Sequence, residues 1–221
     1  MTGARIAVQV LAVQQIANVS EDLAARLSLP KDRRSLGILT TDCDDVTYIA
    51  LDEATKAADV TVAYGRSFYA GAANASTRLA GEVIGILAGK NPDEVQSGLQ
   101  AARRILQTVG FRAANEEQDI VYLAHCVSRT GSYLSRLAHI RQGQALAYLI
   151  APPAEAVMGL DAALKAAEVT MTEFFAPPSE TNFAGGLLTG SQSACQAACD
   201  AFAAAVLAVA QSPKGGSNGT G

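Results

Sequence analysis

The sequence predicts an α/β (α+β) fold built twice in tandem, and three observations carry that prediction. First, Asp52-Glu-Ala-Thr-Lys-Ala-Ala-Asp-Val-Thr-Val62 returns as Asp161-Ala-Ala-Leu-Lys-Ala-Ala-Glu-Val-Thr-Met171, at an offset of 109 residues (161 − 52) in a chain of 221. Second, each half reads as the same succession of strand, helix, strand, helix, strand, strand, helix. Third, the strands are continuous apolar runs, such as Leu36-Gly-Ile-Leu39 and Leu146-Ala-Tyr-Leu149, which suits a sheet covered by helices on at least one face. A period of half the chain is too long for a solenoid unit, whose repeats run roughly 20–50 residues. The predicted organisation is therefore two domains, 1–110 and 111–211, followed by a Gly/Ser-rich tail at 212–221.

In chain order, residues 6–13 read as an opening strand. Ser20 caps a helix that runs to about Leu29, where Pro30 stops it. A strand over 35–40, the repeated helix over 51–58 and a strand over 60–65 follow. Another strand spans 82–87, and Asn91-Pro92-Asp93-Glu94 opens a helix to about Gln107, with proline in its first turn and acids facing the helix dipole. The second half predicts elements over 119–126, 130–138, 145–150, 160–167, 169–175, 184–189 and 192–210.

The repeat reaches beyond its best-matched segment. Leu23-Ala-Ala-Arg-Leu-Ser-Leu29 parallels Leu134-Ser-Arg-Leu-Ala-His-Ile140, and Ala80-Gly-Glu-Val-Ile-Gly-Ile parallels Ala184-Gly-Gly-Leu-Leu-Thr-Gly, the latter at an offset of 104 (184 − 80). The offset thus drifts by five residues between the matched segments. That drift marks two unequal connections, 63–79 and 172–183, as the places where function is expected.

Composition narrows the classes. The chain of 22.8 kDa, 49% hydrophobic, can bury a sizeable core, while a net charge of −4 argues against a nucleic-acid partner. No apolar run is expected to reach the roughly 20 residues of a membrane span, and the chain start carries no secretion signal, so neither membrane nor export is expected. Cys43, Cys126, Cys195 and Cys199 read as buried thiols in a reducing compartment. His125 and His139 have no Cys or His at ligand spacing, so no metal site is predicted. A Gly-x-Ser-x-Gly elbow is missing, and Tyr64-Gly-Arg-Ser-Phe-Tyr-Ala-Gly-Ala-Ala73 fits neither a P-loop nor a dinucleotide fingerprint. No catalytic residue is assigned, and the chain does not read as an enzyme. Thr41-Asp-Cys-Asp-Asp45 does stand out, with three carboxylates in five residues and Glu82 as a candidate neighbour. Two readings stay open: a solvated turn whose Asp caps the next segment, or a small anionic pocket for an ammonium group or a divalent cation.

Several segments resemble one known family. Asp161-Ala-Ala-Leu-Lys-Ala-Ala-Glu-Val and Ala184-Gly-Gly-Leu-Leu-Thr-Gly with its Ala-rich helix resemble bacterial microcompartment shell domains. Arg34-Ser-Leu-Gly, Asp44-Asp-Val-Thr-Tyr-Ile, Asp52-Glu-Ala-Thr-Lys, Tyr64-Gly-Arg-Ser, Ser128-Arg-Thr-Gly-Ser-Tyr-Leu-Ser135, Ala151-Pro-Pro and Pro177-Pro-Ser-Glu-Thr-Asn182 resemble the ethanolamine-utilisation branch of the tandem-domain, trimer-forming shell proteins. The resemblance covers about residues 34 to 199.

It implies a duplicated, circularly permuted shell domain and a homotrimer that mimics a six-fold hexamer. It also implies tiling with other shell proteins around a compartment in the cytoplasm, and a gated central pore. The implied pore loops are Ser67, Phe68, Tyr69, Ala70, Gly71, Ala72, Ala73 and Asn74, with Ser179, Glu180, Thr181, Asn182 and Phe183. The implied ligand is ethanolamine, held by Asp44, Asp45, Glu82, Phe111, Thr181 and Asn182, with a corrinoid as a further ligand and no required cofactor. The alternatives are a tandem shell protein of another compartment type, serving propanediol or carbon fixation or carrying an iron–sulfur cluster at its pore, and a free-standing small-molecule sensor. A cluster needs cysteine at the symmetry axis, and neither implied pore loop contains one.

Overall fold

The computed structural model describes residues 2–67, 82–177, 179 and 182–214. Nine strands and six helices are described, in the order β1 (Val10–Ile16), α1 (Glu21–Arg26), β2 (Ser35–Thr41), α2 (Asp44–Ala57), β3 (Val60–Ser67), β4 (Val83–Gly89), α3 (Pro92–Thr108), β5 (Arg112–Ala113), β6 (Val121–Val127), α4 (Ser132–Leu137), β7 (Ala145–Ala151), α5 (Pro153–Ala166), β8 (Val169–Phe175), β9 (Ala184–Gly190) and α6 (Gln192–Gln211). The succession expected from the sequence is present in both halves, with the short β5 added.

The chain forms two compact units, and each draws on both halves of the sequence. The N-terminal unit holds residues 7–110 together with 129–144, and the C-terminal unit holds 1–6, 111–128 and 145–221. Helix α4, encoded in the second half, thus belongs to the unit made mostly by the first.

Each unit carries one antiparallel sheet, ordered β1-β2-β4-β3 in the N-terminal unit and β5-β6-β7-β9-β8 in the C-terminal unit. Strands β2 and β7 are central and nearly free of solvent-facing residues, as their unbroken apolar runs predict. Helices α2 and α3 pack on each other and on the first sheet, and α5 and α6 do the same on the second. Close approach is secured by small residues beneath the helices. A Cβ at Gly85 on β4 would stand 2.7 Å from the Leu51 side chain of α2, so glycine lets the helix settle on the strand.

The opening strand runs over Val10–Ile16 instead of 6–13, and two helix starts and the drift of the repeat also differ from expectation. Helices α2 and α5 begin at Asp44 and Pro153, a full two turns before the expected starts at 51 and 160. Almost the whole of α2 is buried, so its first turns show no amphipathic period for a sequence reading to find. The ladder also revises the drift of the repeat. Gly89 pairs with Ser35 and Gly190 with Ala145, so β4 corresponds to β9 at an offset of 101 (184 − 83). The two helices keep the offset of 109, and the connections therefore differ by eight residues instead of five.

Helix α6, at 20 residues, is by length and composition able to cross a bilayer, which corrects the expectation that no apolar run reaches that size. In the fold it buries a stripe of Cys195, Ala198, Cys199, Phe202 and Val206 in the core of the C-terminal unit, which accounts for its apolar composition. All four cysteines are free thiols, three buried and Cys126 half-buried. Burial pushes the thiols of Cys43, Cys126, Cys195 and Cys199 above the ordinary range.

Candidate ligand site and loop base

The acidic cluster of the sequence is a helix start and not a free turn. Thr41 ends β2, and its Oγ1 accepts the Cys43 N–H at 3.1 Å and lies 2.7 Å from the Thr47 hydroxyl, while Thr47 Oγ1 donates to the Cys43 carbonyl at 2.8 Å. This buried hydroxyl network fixes both backbone groups of Cys43, the residue that joins β2 to α2. Asp44 and Asp45 then occupy the first turn of α2, where the exposed N–H groups of a helix favour negative charge. Both are buried, and the Asp45 N–H donates to Asp44 Oδ1 at 2.8 Å. Asp42, one residue outside the helix, accepts the Gln9 N–H at 2.8 Å, and burial raises its carboxyl above the usual carboxylate range. The charges of Asp44 and Asp45 add to burial in holding the Cys43 thiol protonated. One end of this unit is therefore strongly anionic, which suits a primary ammonium better than any anion.

Glu82 lies at the same end. It is half-buried and precedes β4, whose first residue, Val83, pairs with Thr41 on one side and Ser67 on the other. The Ser67 hydroxyl donates to the Glu82 carbonyl at 3.4 Å, and the Ser67 N–H donates to the Tyr48 hydroxyl at 2.9 Å. Tyr48 sits one turn into α2, so the helix that carries the acids also holds the strand end from which the first implied loop departs. Sequence reasoning missed Tyr48. Its signal was the Asp44-Asp-Val-Thr-Tyr spacing, which places Tyr48 one helical turn after Asp44 once the helix is known to begin at Asp44.

The other implied residues belong to the C-terminal unit. Phe111 is fully buried, and its ring packs on Phe183 with centroids 5.6 Å apart and planes tilted by 51°. The Ser179 N–H donates to the Phe183 carbonyl at 3.3 Å, closing the base of the second loop, and Asn182 is exposed. Thr181 and Glu180, and Phe68, Tyr69, Ala70, Gly71, Ala72, Ala73 and Asn74, lie outside the described residues. Asp44, Asp45 and Glu82 are thus gathered at one end of the N-terminal unit, while Phe111 and Asn182 stand in the other unit. Among the described residues, no group of three or more His, Cys, Asp or Glu side chains is placed to hold a metal ion.

Two units in one chain, each with an antiparallel sheet covered by a helix pair, define a tandem shell-domain architecture. The BMC domain family matches residues 35–115. A microcompartment shell protein EutL from Clostridium perfringens is 67% identical over 207 residues, covering 93% of this chain and 95% of the relative. A crystal structure of EutL from Clostridium perfringens superposes with a TM-score of 0.92 at 65% identity, covering 97% of this chain and 98% of that one. The ethanolamine utilization protein EutL of Leptotrichia buccalis gives the same TM-score of 0.92 at 63% identity, covering 97% and 99%. The chain belongs to the EutL family of bacterial microcompartment shell proteins.

Proposed function

We propose that this protein is a non-enzymatic structural component of the shell of an ethanolamine-utilisation microcompartment. It assembles as a homotrimer, tiles with other shell proteins, and encloses a central pore whose opening is set by the loops 67–74 and 179–183. Family membership at 67% identity supports the shell role. The observation that carries the gating role is the convergence of Asp44, Asp45 and Glu82 at the base of the longer loop, next to the strand end that Tyr48 holds. A primary ammonium drawn to those carboxylates bears directly on the loop that returns at Glu82. The ethanolamine hydroxyl takes its partners from Thr181 and Asn182, and Phe111 acts through Phe183, which it positions. A corrinoid is a second ligand class for the pore.

Binding shifts such a pore only if the ligand prefers one loop arrangement over the other. Calorimetric titration of ethanolamine into the wild type and into Asp44→Ala/Glu82→Ala tests the site. Heat of binding is expected for the wild type alone. Equal affinity for both proteins would remove the acids from the site, and a folded double variant by circular dichroism is the required control.

A further inference from the structure

Beside the acids, the end of strand β3 is held at two points. At Ser67 the backbone N–H donates to the Tyr48 hydroxyl at 2.9 Å, and the serine hydroxyl in turn donates to the Glu82 carbonyl at 3.4 Å. Two residues earlier, Gly65 pairs with Gly85 across β3 and β4, and the facing glycines leave a pit in the sheet. Leu51 of α2 fills the pit at Gly85. The Tyr133 hydroxyl of α4 fills it at Gly65, where a Cβ would stand 2.8 Å from the hydroxyl oxygen. The Tyr133 ring also lies 6.0 Å from that of Tyr48, tilted by 50°. One side chain of α4 therefore sits over the strand end and backs the residue that holds it.

The placement of Tyr133 is fixed by its neighbours. The Asp52 carboxylate accepts the N–H groups of Gly131 and Leu134 at 2.7 and 2.8 Å, and Thr55 Oγ1 accepts the Ser132 N–H at 3.1 Å. Gly131 stands where α1 has Ser20, at an offset of 111 (131 − 20), and a Cβ there would meet the Asp52 carbonyl oxygen at 2.6 Å. Helix α4 thus lies on α2 with no slack at the residues flanking Tyr133.

The duplication separates what the fold needs from what this end of one unit adds. At offsets of 109 for α2 and β3 and 101 for β4, Leu51 and Gly85 recur as Leu160 and Gly186, and a Cβ at Gly186 would again meet the leucine, at 3.5 Å. The seating of helix on sheet is common to both units. The remaining positions are not. Tyr48, Gly65 and Ser67 become Val157, Phe174 and Ala176, and Glu82 becomes Phe183. The phenol, the glycine, the held serine and the carboxylate occur together in one unit and are replaced together in the other.

We infer that Tyr133 is a positioning residue for Glu82: from α4 it seats Gly65 and backs Tyr48, these fix Ser67, and Ser67 holds the Glu82 backbone. A carboxylate held in place before a ligand arrives loses less freedom on binding, so affinity for an ammonium follows how well the strand end is seated. The inference rests on the ethanolamine site proposed above and adds to it a residue that acts through others.

A steric swap tests it on the full chain. The φ of Gly65 is not positive, so its backbone accepts alanine, but the new methyl group displaces the Tyr133 hydroxyl. Adding Tyr133→Phe removes that oxygen and leaves the methyl 3.5 Å from the ring carbon, an ordinary contact. Gly65→Ala is expected to quicken amide exchange over 65–67 by about tenfold and to weaken ethanolamine binding in calorimetry by a similar factor, with exchange over 174–176 as in the wild type. Gly65→Ala/Tyr133→Phe is expected to return both to within about twofold of the wild type. A Gly65→Ala protein that exchanges and binds as the wild type does, or a double variant no better than the single, would overturn the inference. So would restored exchange with ethanolamine affinity equal in all three proteins, since Tyr133 would then only pack. A wild type that gives no heat with ethanolamine, beside exchange that still follows the swap, would overturn the ethanolamine reading and uphold the seating of the strand end by Tyr133.

Discussion

Asp52 and Gly131, 79 positions apart in the chain, are joined by a 2.7 Å hydrogen bond between a fully buried carboxylate and a backbone N–H. The same carboxylate takes the Leu134 N–H, so one side chain from α2 serves as the cap of α4. Removing it by Asp52→Ala leaves two buried donors without acceptors. A loss of about 3 kcal/mol in urea unfolding is expected, while Asp161→Ala, at the corresponding but exposed position, should cost under about 0.5 kcal/mol.

Asp52 also sets a pH dependence. Burial raises its carboxyl above the ordinary value, against the opposing pull of the Gly131 and Leu134 N–H groups and of Lys56. A folded-state pKa above the unfolded one means that the folded state binds the proton more tightly. The stability contributed by that proton is complete below the unfolded pKa and is lost as pH rises through the raised folded one. Asp52→Asn removes this titration. Its stability should be lower at every pH, because its amide group presents N–H to one of the two donors, and its pH slope across the acid range should be flatter than that of the wild type. Parallel slopes in thermal melts would assign the titration to another group.

Gly131→Ala places a methyl group against the backbone and side chain of Asp52 and against Thr55. Helix α4 can escape only by withdrawing from α2, which breaks three hydrogen bonds. Destabilisation of about 2 kcal/mol or more is expected from chemical denaturation. The opposite change at the counterpart, Ser20→Gly, should cost only a few tenths of a kcal/mol.

Tyr48→Phe deletes the hydroxyl that takes the Ser67 N–H and leaves the ring in its tilted contact with Tyr133. Global stability should fall by about 1 kcal/mol, and amide exchange at Ser67 should quicken by more than exchange at the centre of β3. Uniform acceleration along the strand would mean that Tyr48 does not govern the loop base.

Phe111 separates packing from ligand contact. Phe111→Ala should cost about 3–5 kcal/mol as a buried aromatic truncation, whereas Phe111→Leu should cost about 1 kcal/mol. If Phe111 acts by positioning Phe183, ethanolamine affinity in calorimetry follows the order wild type, Leu, Ala. An affinity unchanged in both variants would take Phe111 out of the site altogether.

The architecture was legible because the duplication preserved spacing within elements. Asn91-Pro92 and Ser20 named two helix starts correctly; the Ser20 side chain makes the capping bond expected of it, and the Asn91 side chain caps α3 as well. What failed failed for physical reasons. The Thr41–Asp45 segment carries turn-forming residues, so its carboxylates read as loop acids, yet the Thr41–Thr47 hydroxyl pair lets a helix begin there. The likeness of Ala80-Gly to Ala184-Gly is one of small residues, and only the strand ladder shows that Val83 is the true counterpart of Ala184. Of the site, the acids at 44, 45 and 82 were readable as a cluster. The role of Tyr48 depends on a backbone partner that no sequence pattern announces.

The exchange of α4 gives the duplication a direction. A repeat whose copies each folded alone could be trimmed back to a single domain by deletion. Here residues 129–144, which the second copy encodes, complete the unit made by the first. A chain ending at Gly110 would leave Asp52 ionised on a bare helix with no backbone to cap, and a chain starting at Phe111 would carry α4 with no α2 beneath it. Residues 129–144 from the second copy and 1–6 from the first each lie in the other copy's unit, so neither copy of the repeat is a whole unit by itself.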